Sequence, residues 1–295
     1  MTTTRTIPIR RAALGAAALA AALGLAACGG GEPPLDTSVP ANAAQRAVDE
    51  AGARATGPSR LKGEVEISSG VTGAFSIGLM GAVDPAGDSD VALDFGQAFD
   101  VLGLDEEDAT VRVLVDEGDL YFRLPGFLAQ ELGSKEWIGV DADAPADAPG
   151  GSLIADLQRS SASTHLGYLR GALEDFVLVG EEPGPLGTLA HYRGTVDLRR
   201  AIERTPLAER PALREQVESL RRDSADGDLI ATDVWLDAAG RVVRERMVFH
   251  VEVDGEVGTV ETALEFVDHG TPVDAAAPNP SRVTPYAEVE DELAG

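Results

Sequence analysis

Apolar and polar residues alternate over most of the chain between residues 61 and 268. In GAFSIGLMGAV (73–83), Phe75, Ile77 and Leu79 fall on one side, and Ala74, Ser76 and Gly78 on the other. At 90–96, Val91, Leu93 and Phe95 alternate with Ala92, Asp94 and Gly96, and at 61–68 Val65 and Ile67 share a side. A period of two is the signature of strands with unlike faces. The same reading predicts strands at 110–115 and 119–124, with Asp116-Glu117-Gly118 as the hairpin turn between them, and a short strand in KEWIGVD around Trp137. It continues at 174–180, 187–196, 229–237, 241–253 and 257–268, for eleven strands in all. DAAGR at 237–241 is a turn between two of them.

Helical spacing interrupts this pattern in few places. Ala44, Val48 and Ala51 share a face over 41–55, which Gly57-Pro58 ends. Short helical segments are predicted at 127–132, 152–158 and 165–173. In the stretch 197–223, Leu213, Val217 and Leu220 recur at i, i+4, i+7, Pro211 suits a first helical turn, and Pro206 interrupts. With no regular βαβ alternation, the predicted fold class is α+β: a strongly curved antiparallel sheet with a few helices.

The first 27 residues stand apart. Arg5, Arg10 and Arg11 precede an uncharged run of mostly Ala and Leu from Ala12 to Ala27. That run is shorter than the roughly 20 residues a membrane-spanning helix needs. Basic start, short apolar run and small residues at the end describe a secretory signal. Arg10-Arg11 raises a twin-arginine route, but Ala12-Ala13-Leu14 lacks the bulky apolar residues that follow such a pair. The run ends in Leu25-Ala26-Ala27-Cys28, which holds the chain's single cysteine. One thiol makes no internal disulfide, zinc cluster or CxxC pair. Residues 28–40, with GGGEPP early in the segment, read as a tether that keeps a folded body within about 20 Å of its anchor. The organisation expected is a signal peptide at 1–27, a tether at 28–40, one domain at 41–277, and an irregular acidic tail at 278–295.

Removing the signal takes away three arginines and no acid. It leaves 21 basic residues against 50 acidic ones, a formal charge of −29. Such a chain does not bind nucleic acid, whose phosphates demand Lys and Arg, and anionic headgroups repel it. Catalytic signatures are missing: there is no G-x-S-x-G elbow, P-loop or G-x-G-x-x-G. His165, His191, His250 and His269 lack metal-ligand spacing. Asp141, Asp143 and Asp147 fail the EF-hand pattern, because Pro145 and Ala146 occupy its fifth and sixth positions. No cofactor, no metal and no enzymatic activity are expected.

Leu25-Ala26-Ala27-Cys28 resembles the lipobox of bacterial lipoproteins. The resemblance implies that Cys28 is diacylated on sulfur and becomes the mature N-terminus at the extracytoplasmic face of the cell membrane. Two acyl chains satisfy the two-signal requirement for stable anchoring. Together with YFRLP (121–125), EWIGVD (136–141), AHYRGTVDL (190–198) and VWLDAAGRVVR (234–244), the order of elements resembles the LppX/LprA/LprF/LprG lipoproteins of actinobacteria, which share the fold of the LolA and LolB carriers. That resemblance implies a half-barrel with helices on its concave face. It also implies an apolar cavity that binds an amphipathic lipid or lipoglycan and carries or presents it in the envelope, with an envelope lipid exporter as a candidate partner. The candidate cavity residues are Phe75, Ile77, Leu79, Val91, Leu93, Phe95, Met247, Phe249, Leu264 and Phe266. Alternation alone assigns each of them to an ordinary core. The alternative function is therefore an envelope scaffold with a closed core that binds protein partners. Arg214, Arg221 and Arg222, in an Arg-rich stretch at 199–222, are candidate headgroup contacts, against plain charge pairing with Glu203, Glu209, Glu215 and Glu218.

Overall fold

The computed structural model describes residues 41–54, 57–69, 73–84, 88–101, 109–141, 166–173, 175–185, 187–207, 210–253 and 256–289. Cys28 with its signal and tether, His165, Asp143, Asp147 and the helical segment expected at 152–158 lie outside them.

The alternating segments form one sheet. Its strands are β1 (Ser59–Ser69), β2 (Gly73–Val83), β3 (Ser89–Asp94), β4 (Thr110–Asp116), β5 (Asp119–Arg123), β6 (Trp137–Val140), β7 (Val177–Gly184), β8 (Gly187–Asp197), β9 (Leu229–Leu236), β10 (Val242–Val253), β11 (Glu256–His269) and β12 (Val283–Pro285). Their spatial order is β12-β6-β5-β4-β3-β2-β1-β11-β10-β9-β8-β7. Two antiparallel meanders, β1 to β6 and β7 to β11, are thus joined where β1 pairs with β11. The sheet is open and curved, with β7 and β12 at its edges. Between β4 and β5 the turn is made by Glu117 and Gly118, both at positive φ, as a two-residue hairpin turn requires.

Five α-helices are described, besides 3-10 turns at Leu169–Gly171, Pro280–Arg282 and Tyr286–Glu288. The first, α1 (Ala41–Arg54), buries Ala44, Val48 and Ala51, and its Gln45 amide donates to the Ala172 carbonyl at 3.0 Å. The others are α2 (Gly96–Val101), α3 (Gly126–Glu131), α4 (Leu198–Arg204) and α5 (Arg210–Asp223). Helix α4 begins where the Asp197 carboxylate accepts from the backbone N–H groups of Arg199 and Arg200. Pro206 separates α4 from α5, which buries Leu213 and Val217. The apolar stripes of α1, α4 and α5 belong to the same core as the inner face of the sheet, so these helices cover that face.

One expectation is corrected. Within the tail expected to be irregular, the described residues 278–289 hold regular structure: Val283–Pro285 adds to β6 as the twelfth strand, parallel to it. Thr284 Oγ1 accepts from the Lys135 backbone N–H at 2.8 Å, and Lys135 Nζ donates to the Val283 carbonyl at 2.8 Å. A strand of three residues that itself ends in proline is too short for periodicity to reveal.

Candidate functional site

Cross-strand register sorts the inner face into transverse rows. One row runs Leu178, Tyr192, Val234, Glu245, Leu264, Gly63, Leu79, Leu93, Val111, from β7 to β4. The next runs Gly194, Thr232, Met247, Thr262, Val65, Ile77. Phe249, Val260, Ile67 and Phe75 make a third, and Phe266, Leu61, Gly81, Val91, Val113 and Phe122 a fourth on the far side of the first. Nine of the ten candidate cavity residues sit in these rows. The tenth, Phe95, follows β3 and joins the same cluster. Eight are buried, while Phe75 and Val91 are half-buried against the cluster.

Two glycines keep this face closely packed. A Cβ on Gly63 would lie 2.3 Å from the Ala263 carbonyl oxygen and 2.8 Å from Leu264 Cδ2, and one on Gly194 would meet the Phe176 ring at 2.6 Å. Leu264 therefore reaches over β1, and Phe176, fully buried, lies against β8.

One charged residue type interrupts the first row. Glu245 is 2% exposed, and neither carboxyl oxygen has a hydrogen-bond partner among the described residues. Burial, with no neighbouring charge to oppose it, pushes its pKa up to about 8, so the group is a neutral acid at pH 7. In the adjoining row the Thr262 hydroxyl is also buried and unpartnered, whereas the Thr232 hydroxyl donates to the Ile230 carbonyl at 3.2 Å. Sequence reasoning did not single out Glu245. The signal was its place two residues before Met247 in RVVRERMVFH, which gives it the inward parity of Met247 and Phe249.

The outer face carries paired charge. A bulge between Val242 and Arg244 turns both Val243 and Arg244 outward, where Val243 joins Leu189 and Trp235 in a second small apolar cluster. His191 stacks on Trp235 at 4.1 Å between centroids, and Arg244 lies over the same indole at 5.1 Å. Beside them Asp233, also buried, accepts from His191 Nε2 at 2.6 Å, Arg193 Nε at 2.8 Å and Arg246 Nη1 at 3.1 Å. Burial alone would raise the Asp233 pKa. The hydrogen bonds from His191 and Arg193, with their charges, outweigh it and hold the group below the usual carboxylate range. Arg246 also pairs with Glu261, and Lys62 and Arg244 with Glu265. The cluster clamps β8, β9 and β10 together.

The Arg-rich segment does not gather into one basic cluster. Arg199 and Arg221 pair with Asp228, at 2.5 and 2.6 Å, and Arg204 with Asp49 at 2.6 Å. Arg210 donates to the carbonyls of Glu203 and Thr205 at the end of α4. Arg214 is exposed on α5, and the Arg222 side chain is outside the described set. The partners described for these arginines are Asp228, Asp49 and backbone carbonyls; Glu209 and the Glu215 side chain lie outside the described residues. His250 is bound to Asp226 at 2.8 Å, and His269 lies 3.4 Å from the Ser59 hydroxyl. Among the described residues there is no group of side chains that could hold a metal ion, and no helix long and apolar enough to cross a membrane.

No protein-family model and no curated protein matches the sequence. Among solved structures the chain is similar to LprF from Mycobacterium bovis, with 16% identity, 85% of this chain and 99% of that one covered, and a TM-score of 0.39. It is similar to a LolA superfamily protein from Nitrosomonas europaea at 9% identity, covering 78% of this chain and 95% of that one, with a TM-score of 0.27. The MucA/MucB complex structure from Pseudomonas aeruginosa gives 14% identity, coverage of 81% and 59%, and a TM-score of 0.28.

Proposed function

We propose that this protein is a lipid-anchored lipoprotein of the extracytoplasmic membrane face, and that it binds an amphipathic lipid or lipoglycan against the inner face of its sheet. In this role it carries or presents the lipid, with no covalent chemistry, and an envelope lipid exporter is the partner the role calls for. The observation that carries the reading is the single apolar face shared by the two meanders and covered by helices rather than by a second sheet. Helices can shift against a sheet without breaking its ladders, so such a face can admit acyl chains. The physical need is large: a sixteen-carbon chain exposed to water costs on the order of 12 kcal/mol at ~0.8 kcal/mol per methylene. The lipobox at Leu25–Cys28 supplies the attachment.

The near-complete burial of eight candidate liners favours a second reading, a scaffold with a closed core that binds protein partners. Native mass spectrometry of the full chain extracted from its membranes separates the two. A lipid adduct that survives dissociation from detergent is expected. A bare protein mass, with bound polypeptide instead, would establish the scaffold.

A further inference from the structure

The apolar inner face contains two buried polar groups that nothing in the described structure satisfies. Glu245 on β10 and Thr262 on β11 are diagonal neighbours, since Glu245 lies opposite Leu264, and Thr262 opposite Met247. Diagonal neighbours on one sheet face stand roughly 7–8 Å apart, within reach of long side chains. Glu245 is 2% exposed and Thr262 equally so, and neither has a hydrogen-bond partner among the described residues. A buried, unmade hydrogen bond is costly, and native structures satisfy nearly all such groups. Three polar atoms of this kind on neighbouring strands, in the middle of the face read above as the lipid-binding surface, mark a place where an incoming group completes the set.

The chemistry of that group follows from the pair. Among the described residues no cation stands near Glu245, whose flanking residues in the sheet are Val234 and Leu264, with Met247 next on its own side of β10. Its carboxyl stays protonated at neutral pH because burial alone acts on it. A neutral carboxyl and a threonine hydroxyl each offer one O–H and acceptor lone pairs. A ligand ammonium would demand ionisation of the carboxyl and burial of an ion pair with no further partners, which is unfavourable. An ester or ether oxygen accepts only. A ligand hydroxyl both donates and accepts, and so matches both protein groups at once.

We infer that Glu245 and Thr262 form a polar subsite within the apolar face that takes a free hydroxyl group of an otherwise apolar lipid, of the diacylglycerol type. The inference rests on the lipid-binding reading and adds the feature of the ligand that is selected. Leu264, which reaches over Gly63, lies between this subsite and the Leu79–Leu93 part of the row, where the acyl chains would lie.

The test is a competition. The full chain in detergent is mixed with equal amounts of dioleoylglycerol and its 3-acetyl derivative, in which the hydroxyl is capped, and the bound ratio is read by native mass spectrometry. Wild type is expected to favour the free hydroxyl by about tenfold, the size of one buried hydrogen-bond set. Glu245→Leu should bring the ratio close to one while still binding the capped lipid, and Thr262→Val should reduce it about threefold. The Thr262 variant also decides the matter should the Glu245 variant fail to fold. Equal binding of both lipids by wild type, as water filling the subsite would produce, overturns the inference and leaves the lipid-binding reading standing. So does a preference that survives both substitutions. Binding of neither lipid overturns the inference, and a bare protein mass from membrane extracts as well would overturn the lipid-binding reading.

Discussion

At the scale of single residues, Glu245 is the costliest feature of the inner face. An unfolded chain ionises this carboxyl near 4.5, and the folded chain only near 8. Between those values the folded state holds a proton that the unfolded state has lost. Stability therefore falls as pH rises through the window and levels off above it. The total is on the order of 5 kcal/mol at 1.36 kcal/mol per unit. Glu245→Gln removes the titration. Urea denaturation at pH 5.5 and pH 8 should show wild type losing on the order of 3 kcal/mol more than the variant across that interval. Parallel losses in the two proteins would show that the carboxyl is solvated. The residue's inward position was legible in RVVRERMVFH, because it has the parity of Met247 and Phe249. Its isolation was not, because the absence of a cation depends on which strands flank β10, and those strands are β9 and β11.

At the scale of elements, the sheet was readable wherever unlike faces alternate. Phe75, Ile77 and Leu79, and Val91 and Leu93, fall inward as their period requires. What escaped the sequence came from pairing between distant segments. The short β12 is held by Lys135, roughly 150 residues away along the chain. Asp233 is buried by His191, Arg193 and Arg246 from two neighbouring strands, and single-strand periodicity carries no sign of that. This cluster has a measurable role. Asp233→Asn leaves Arg193 and Arg246 facing a neutral amide, and by analogy with other broken buried pairs should cost about 3 kcal/mol at pH 7. The Asp233 pKa is depressed in the folded state, so its contribution is complete above the unfolded value near 3.8 and is lost as pH falls through the folded one. Chemical denaturation should accordingly show a gap between wild type and variant at pH 7 that narrows as pH falls below about 4. A gap that stays constant down to pH 2 would assign the cost to packing rather than to charge.

At the scale of the whole molecule, attachment and charge act in opposite directions. The full chain carries a formal charge of −26, and electrostatic adsorption to anionic lipid is closed to it, since like charges repel. Its ion pairs reinforce the point: Arg199, Arg204, Arg221 and Arg246 are each engaged with a carboxylate of the same chain, so they add little net positive field at the surface. On the proposed reading the hold comes from acyl chains on Cys28, and salt should not weaken it. Cell fractionation makes the distinction directly. Wild type should sediment with membranes at both low salt and 1 M salt, and dissolve only in detergent. Cys28→Ser, with no sulfur to acylate, should lose the labelled fatty acid. Its uncleaved apolar segment of 16 residues, from Ala12 to Ala27, is too short to span a bilayer stably, so the variant should be extracted by alkaline carbonate while wild type is not. Release of wild type by salt alone would place the attachment on a protein partner instead, and would shift the function of the apolar face from carrying lipid at the membrane surface to supporting an assembly.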